Sequence, residues 1–250
     1  MGKLIEKERL KSQSRIWELD FLKGIALILM IITHLFFDLS EFFSVDVSSF
    51  GSFPSAVGKI SAIIFMTVCG VSATIGKRNV QNGFRLLALA TALSLVTAIF
   101  DRITGSEICI KFGILHFLAF AMIVSYFSKK LPVPVLVLLS FASFLLGKCF
   151  LSRFVNFPLL FPFGLRTREF FSGDYYPLFP NLSYIFFGNA VGKMLYKEKK
   201  SVFKKSVKGF DVFNFLGRNT LVLYFIHQPI LILILIFISL FSKGLSFVYF

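Results

Sequence analysis

Four polar side chains share the first long apolar stretch of the chain: Asp20, Lys23, His34 and Asp38. In a helix, the step from Lys23 to His34 turns through about 1100°, which brings both side chains to within about 20° of one face, about 16 Å apart. Asp20 and Asp38 fall on the same stripe. An imidazole can serve as a general base or a nucleophile, and an ammonium can bind phosphate. The pattern indicates a chemical site on one helix face.

Each of these residues also has a structural explanation. The alternatives are that Lys23 extends to lipid headgroups, that Asp20 caps the helix and pairs with Lys23, and that His34 hydrogen-bonds a neighbouring helix. Because all four polar groups share one face of an apolar helix, they need a polar partner, either another helix or a water-filled cavity.

Later apolar stretches contain two more histidines and an Arg-Asn pair. His116 is expected in the outer half of its span, where it either makes a structural hydrogen bond or belongs to a site. Arg218 and Asn219 precede the last span, whose first amides favour an anion unless the two residues form an ordinary cap. His227 follows two turns later and is expected nearer the cytoplasmic side.

The composition places these residues in a membrane. Hydrophobic residues make up 56% of the 250 residues, charged residues make up 16%, and the mean hydropathy is +0.79. A soluble domain carries about 45–50% apolar and about 25% charged residues, because its surface faces water. A soluble enzyme, a nucleic-acid-binding protein and a disordered chain are therefore excluded. The chain is interpreted as a multi-pass protein of the cell membrane.

Seven stretches are long and apolar enough to cross a bilayer as helices of roughly 20 residues. The predicted fold is an all-α bundle of about seven transmembrane helices, at about 17–39, 54–76, 84–101, 108–127, 131–149, 178–196 and 220–242. Residues 1–16 are predicted to form a basic cytoplasmic tail, and 17–250 a single transmembrane domain. Most of the 27 Lys and Arg residues fall on the side of the N-terminus, so the positive-inside rule predicts a cytoplasmic N-terminus and an outer C-terminus.

Four sequence motifs resemble one enzyme family. They are Leu19-Asp20-Phe21-Leu22-Lys23-Gly24-Ile25-Ala26-Leu27-Ile28-Leu29-Met30, Phe112-Gly113-Ile114-Leu115-His116-Phe117-Leu118, Gly173-Asp174-Tyr175-Tyr176-Pro177-Leu178-Phe179-Pro180, and Leu216-Gly217-Arg218-Asn219-Thr220-Leu221 with Tyr224, His227, Gln228 and Pro229. In this order they are similar to the heparan-alpha-glucosaminide N-acetyltransferase catalytic-domain family, within the wider membrane acyltransferase superfamily. The spacing from Lys23 to His34 also matches the Arg/Lys-x10-His pattern of that superfamily.

The resemblance implies an acetyltransferase that moves an acetyl group from cytoplasmic acetyl-CoA to a sugar amine or hydroxyl on the outer side, with no metal. Two departures from the family pattern affect the site. The basic residue of the first span is Lys23 where Arg is commoner, so bidentate contact with phosphate is lost. Residues 35–53 contain no histidine, where heparan-acting members place a catalytic one, so the catalytic role falls on His34.

The resemblance and the residue types together suggest a division of roles. Lys23, Arg218 and Asn219 are expected to hold the CoA nucleotide, and the lysines of 193–208 to attract it. His34 is the expected general base or transient acetyl acceptor. The other predicted roles belong to four residues: Asp38 orients and charge-stabilises the His34 imidazole, His116 polarises the thioester carbonyl, and Asp174 and Arg166 hold the sugar in the outer connection.

Two other functions remain open from the sequence. The same stripe would also suit a proton relay in a small transporter or flippase. A non-catalytic subunit of a glycan-modifying assembly is the third alternative. The sequence leaves the acceptor unidentified, and it leaves open whether a bundle this small encloses CoA alone or as a homodimer.

Overall fold

The structure, a computed structural model, describes residues 16–43, 45–105, 108–203 and 211–241. Residues 1–15 of the predicted tail, the predicted outer C-terminus beyond 241, and Lys204, Lys205 and Lys208 lie outside the described residues. The chain groups into two compact units. Among the described residues, the first unit combines those up to Phe65 with those from 198 to 241, and the second runs from Met66 to Lys197.

Eight α-helices occur among the described residues: α1 (Trp17–Glu41), α2 (Phe53–Ile75), α3 (Asn79–Thr104), α4 (Ile114–Ser128), α5 (Val133–Leu151), α6 (Leu178–Leu195), α7 (Asp211–Arg218) and α8 (Thr220–Phe241). Two short 3₁₀ segments, Ser48–Phe50 and Pro158–Phe163, lie in connections. Within the described ranges the only β contacts are two isolated bridges, Phe112 with Tyr175 and Phe154 with Arg166. The predicted all-α fold is confirmed.

Each of the seven predicted spans corresponds to a helix, and α7 is an additional short one. By length and composition, α1, α2, α3, α5 and α8 can cross a membrane. Helix α4 is apolar but has only 15 residues, about 22 Å, which is less than the roughly 30 Å of the hydrocarbon core. The structure therefore supports a helical membrane bundle, while seven crossings and the orientation stay predictions.

The predicted start of the fourth span at residue 108 is wrong, because α4 begins at Ile114. The preceding backbone is bound by side chains instead of by a helical ladder. The Asp101 carboxylate accepts hydrogen bonds from the N–H groups of Ile108 and Cys109, at 2.8 and 2.9 Å. The Ser94 hydroxyl donates to the carbonyl of Ile110. Non-helical backbone in an apolar region is tolerated where other protein groups satisfy it.

In the first unit, α1 packs against α7 and α8. Two glycines bring α1 and α7 into backbone contact. A Cβ on Gly24 would overlap the carbonyl oxygen of Phe213, and a Cβ on Gly217 would overlap that of Asp20. Only residues without a side chain permit this approach, so the two glycines determine how closely α7 lies against α1.

A buried carboxylate anchors the segment before α7 to the start of α1. Glu18 is 5% exposed. One of its oxygens accepts the Val202 N–H at 2.7 Å, and the other accepts the Ser201 hydroxyl. The Trp17 indole also donates to the carbonyl of Phe203. These bonds hold residues 201–203 to α1.

Small residues also permit close helix packing in the second unit. A Cβ on Gly70 of α2 would meet the backbone of Ile185 and Gly188 in α6. Asn189 of α6, fully buried, donates to the Ser128 hydroxyl of α4 at 2.7 Å. A buried polar bond of this kind fixes the register of α6 against α4.

We expect Gly24→Ala and Gly217→Ala each to lower the free energy of unfolding by about 1–3 kcal/mol, because the new methyl group meets a backbone carbonyl that cannot rotate away. Thermal unfolding of the purified protein in detergent measures the effect. Gly58→Ala is the matched control, since its Cβ would meet only the Thr33 side chain, at 2.9 Å. Equal melting temperatures for all three variants would contradict the backbone contact.

Candidate active site

Two histidines meet where α1 packs against α8. The His34 and His227 rings lie edge to face, with centroids 4.8 Å apart and planes at 79°. From the sequence, His227 is expected nearer the cytoplasmic side; the structure places its ring in contact with that of His34. Helix α7 lies against the start of α1, and the side-chain contacts of α8 are with the later part of α1, from His34 onward.

Backbone carbonyls fix the tautomers of both rings. His34 Nδ1 lies 2.9 Å from the carbonyl oxygen of Met30, and His227 Nδ1 lies 2.6 Å from that of Tyr224. A carbonyl oxygen can only accept, so each Nδ1 carries the proton and donates it. In each neutral ring the lone pair therefore remains on Nε2.

A second polar contact joins the same two helices. The side-chain amide of Gln228 donates to Oδ1 of Asp38, a residue with 0% exposure. The other Asp38 oxygen and the Gln228 carbonyl oxygen are buried and accept no hydrogen bond from the described residues. We call His34, Asp38, His227 and Gln228 the α1–α8 polar cluster. Three of its buried atoms have no hydrogen-bond partner among the described residues: Asp38 Oδ2, Gln228 Oε1 and His227 Nε2. All three are acceptors.

Apolar side chains close one end of this cluster. Phe42, Phe43 and Leu235 are buried together, with Leu35, Leu39, Val45, Ile232 and Ile236 packed against them. Pro229 directly follows Gln228 inside α8 and has no N–H, so the Phe225 carbonyl cannot receive its usual helical hydrogen bond. The cluster thus lies at an interrupted part of α8, and the buried apolar group contains its neighbours along α1 and α8.

The predicted orientation of His34 by Asp38 is not a hydrogen bond in this structure, since Asp38 accepts from Gln228 and His34 donates to Met30. Gln228 also belongs to the cluster, although the sequence predicted no role for it. A signal for it was present: His227 and Gln228 are adjacent polar residues in the middle of an apolar helix. The sequence did not show that the partners of this polar pair are His34 and Asp38 of α1.

The predicted nucleotide-binding residues lie at the other end of α1. Arg218 Nε is 3.6 Å from Asp20 Oδ2, and the Arg218 side chain is 42% exposed while that of Asp20 is 14% exposed. Asp20 therefore pairs with Arg218 of α7, and Lys23 is partly buried one turn along α1. The side-chain amide of Asn219 donates to the Phe215 carbonyl at 2.9 Å, an interaction that satisfies a carbonyl at the end of α7.

His116 belongs to the second unit, at the first turn of α4. It is 9% exposed and stacks on Phe112, with ring centroids 5.6 Å apart. Its Nε2 lies 3.5 Å from the hydroxyl oxygen of Ser94, whose proton goes to the Ile110 carbonyl. With its proton so engaged, the hydroxyl can only accept a hydrogen bond from an Nε2–H.

Asp174 caps the start of α4. Its carboxylate accepts the N–H of Ile114 at 2.8 Å, in the space that Gly113 leaves by having no side chain. Burial raises the pKa of the Asp174 carboxyl to about 6, opposed by the hydrogen bonds from the N–H groups of Ile114 and Tyr175. A carboxylate at a helix N-terminus stabilises the helix electrostatically. Its predicted contact with a sugar stays a prediction.

Arg166 lies over an aromatic ring in the connection between α5 and α6. Its guanidinium carbon is 5.8 Å from the centre of the Tyr175 ring, and its Nε is buried with no hydrogen-bond partner among the described residues. The Tyr175 hydroxyl donates to the Phe161 carbonyl at 2.6 Å. Burial raises the pKa of Tyr175 to about 12, so this hydroxyl stays a donor.

The described residues contain no group of three or more His, Cys, Asp or Glu placed to hold a metal ion. The expectation that no metal is needed stays a prediction. The structure thus brings His34 and Asp38 together with two α8 residues, and it places Arg218 beside Asp20. His116, Asp174 and Arg166 belong to the other unit.

We expect the melting temperature to fall as the pH rises from about 4 to about 6.5, because the folded state holds the Asp174 proton more tightly than the unfolded chain does. The stabilisation is fully present below the ordinary carboxyl pKa and is lost through about pH 6; we expect about 1–3 kcal/mol. Asp174→Asn keeps an oxygen for the Ile114 N–H and removes the titration. If wild type and Asp174→Asn show the same pH dependence, the raised pKa is wrong.

The comparisons with known proteins agree with this architecture. The sequence model described as heparan-alpha-glucosaminide N-acetyltransferase, catalytic, matches residues 15–229, which include α1 to α7 and the α1–α8 polar cluster. Neither the search of curated proteins nor the search of solved structures returned a match. The match spans most of the chain, and the chain therefore belongs to the heparan-alpha-glucosaminide N-acetyltransferase catalytic family, a group of membrane acetyltransferases.

Proposed function

We propose that this protein transfers an acetyl group from acetyl-CoA on the cytoplasmic side of the membrane to an amine or hydroxyl of a sugar on the outer side. The observation that carries the proposal is the hydrogen bond between the His34 ring and the Met30 carbonyl. The Nδ1–H of His34 is bound by this carbonyl, which leaves the Nε2 lone pair for chemistry. Family membership supports the reaction class.

Lys23, Arg218 and Asn219 are the proposed residues for the nucleotide of CoA. Arg218 is exposed, and a guanidinium with five N–H donors can bind phosphate while it remains paired with Asp20. Lys23, partly buried on α1 like Asp20, adds a point charge for a second phosphate. Lysines of the 193–208 stretch would attract the polyanion before it binds. The residues present therefore fit a phosphate-bearing donor.

The donor arm would run along α1 from Lys23 towards His34. Both residues lie in one continuous helix, and their spacing corresponds to a rise of about 16 Å. An extended thiol arm attached to the nucleotide needs about this reach to bring its thioester to an imidazole. The charged part of the donor then stays at the basic end while the acetyl group enters the apolar region.

His34 is the proposed general base or transient acetyl acceptor. As a base, its Nε2 takes the proton from the attacking amine or hydroxyl, and as an acceptor its Nε2 forms the bond to the acetyl carbon. Asp38, one turn further along α1, stabilises the positive charge that His34 gains in either case. Its hydrogen bond from Gln228 holds the carboxylate in place.

Three residues of the second unit have proposed roles of their own. His116, held against Phe112, would polarise the thioester carbonyl through its Nε2–H, which would then leave the Ser94 hydroxyl that lies 3.5 Å away. Arg166 has a buried Nε with no acceptor among the described residues, and it lies on the face of Tyr175. An aromatic surface of this kind suits a sugar ring. Asp174 would accept from a sugar hydroxyl while it caps α4.

We expect acetyl-CoA to raise the melting temperature of the detergent-purified wild-type protein in a saturable manner, because a ligand that prefers the folded state stabilises it by mass action. The rise should be smaller in Lys23→Ala, which lacks one phosphate contact. Lys59→Ala, at an exposed position of α2, changes the charge equally and should behave like wild type. No rise with folded wild-type protein at millimolar acetyl-CoA would contradict the donor and favour the transporter alternative.

We expect His34→Ala to lower acetyl transfer from acetyl-CoA to glucosamine by about 10²–10⁴-fold, the usual contribution of a positioned base. Transfer is measured as acetylated sugar formed by protein reconstituted in vesicles. The acetyl-CoA-dependent rise in melting temperature should persist in this variant, since the nucleotide contacts remain. Wild-type transfer rates in His34→Ala would remove His34 from the mechanism.

A further inference from the structure

We propose that His227 is a second catalytic residue of this site: His34 carries the acetyl group, and His227 takes the proton of the acceptor. This rests on the proposed function and deepens it, because it chooses the two-step route and assigns a role to a residue of α8. The observation behind it is the contact of the two imidazole rings, with centroids 4.8 Å apart.

While the His34 imidazole carries the acetyl group, it cannot also act as the base that deprotonates the attacking acceptor. Once Nε2 of His34 is bonded to the acetyl carbon it has no lone pair, and its Nδ1–H is engaged with the Met30 carbonyl. The acceptor must then lose its proton to another base. His227 lies against His34 and has the same tautomer, with Nδ1–H on the Tyr224 carbonyl and the lone pair on Nε2.

Exposure and position assign the two roles. His34 is partly exposed and shares the α1 face with Lys23, so a donor held by Lys23 reaches His34 first. His227 is 8% exposed, and its Nε2 is buried with no hydrogen-bond partner among the described residues. A buried lone pair that takes part in no structural bond is free to receive a proton. His34 is therefore the nucleophile and His227 the base.

The two steps balance in atoms and charge. In the first step, His34 Nε2 bonds to the acetyl carbon and the C–S bond breaks, which leaves an acetyl-imidazolium and the CoA thiolate. In the second step, the amine or hydroxyl bonds to the acetyl carbon, the N–C bond to His34 breaks, and His227 Nε2 takes the proton. Transfer of that proton to the thiolate gives CoA and restores both neutral histidines.

The separate roles are tested with the full-length protein in detergent, mixed with acetyl-CoA and no acceptor. CoA release is quantified by chromatography, and the acetylated peptide is identified by mass spectrometry. His227→Asn keeps an N–H for the Tyr224 carbonyl and removes the Nε2 lone pair. We expect this variant to release about one equivalent of CoA and to retain acetyl on the peptide containing His34. Its turnover with glucosamine should fall by about 10²–10⁴-fold.

The controls separate a structural effect from a catalytic one. Ile226→Ala, at an exposed position beside His227, should keep both the CoA release and the turnover of wild type. His34→Asn should release no CoA. An unchanged melting temperature of His227→Asn would show that the variant folds. If it does not fold, His227→Gln is used instead, and recovery of turnover by added imidazole in His227→Ala gives a further readout.

The other outcomes overturn the assignment. Wild-type turnover in His227→Asn would exclude His227 as the base, and loss of the CoA burst in that variant would assign it to the first step. Wild-type protein that turns over without an acceptor-free burst would exclude the acetyl-histidine route. In all three cases the proposed acetyltransferase function stands. Wild-type protein that neither binds acetyl-CoA nor releases CoA would contradict the proposed function itself.

Discussion

The backbone contact between α1 and α7 is the constraint on which the first unit depends. Gly24 and Gly217 each lie against a carbonyl oxygen of the other helix, so α7 occupies the start of α1 and α8 continues alongside it. That placement brings His227 to His34 and Gln228 to Asp38. A side chain at either glycine would separate the helices and, with them, the two polar contacts of the site.

The buried polar atoms of the α1–α8 polar cluster lower the stability of the folded protein, and we attribute their presence to the proposed reaction. A buried acceptor without a partner costs about 1–3 kcal/mol, and an apolar helix pair would avoid that cost. Asp38, His227 and Gln228 each keep an acceptor atom with no partner among the residues that the structure describes. Ionisable groups at this depth typically mark substrate or proton pathways. The free atoms are acceptors, so the cluster suits a reactant that carries N–H or O–H donors.

The second unit shows a different use of polar side chains. Asp101 and Ser94 bind the non-helical backbone before α4, and Asp174 caps the helix itself. Residues 108–113 were predicted to belong to a span, because a mostly apolar segment has the same composition in a helix and in an extended conformation. The carboxylates that decide between the two conformations lie elsewhere in the chain, at Asp101 and Asp174.

Composition and local spacing alone determined that the chain is a helical membrane protein and that one helix carries Lys23, His34 and Asp38. The resemblance of four sequence motifs indicated the family. Only the tertiary structure decided that His34 meets His227, that Asp38 binds Gln228 and that Asp20 pairs with Arg218. Those contacts join residues nearly two hundred positions apart. Helix periodicity assigns a residue to a face, but the partner of that face depends on how closely the backbones can approach.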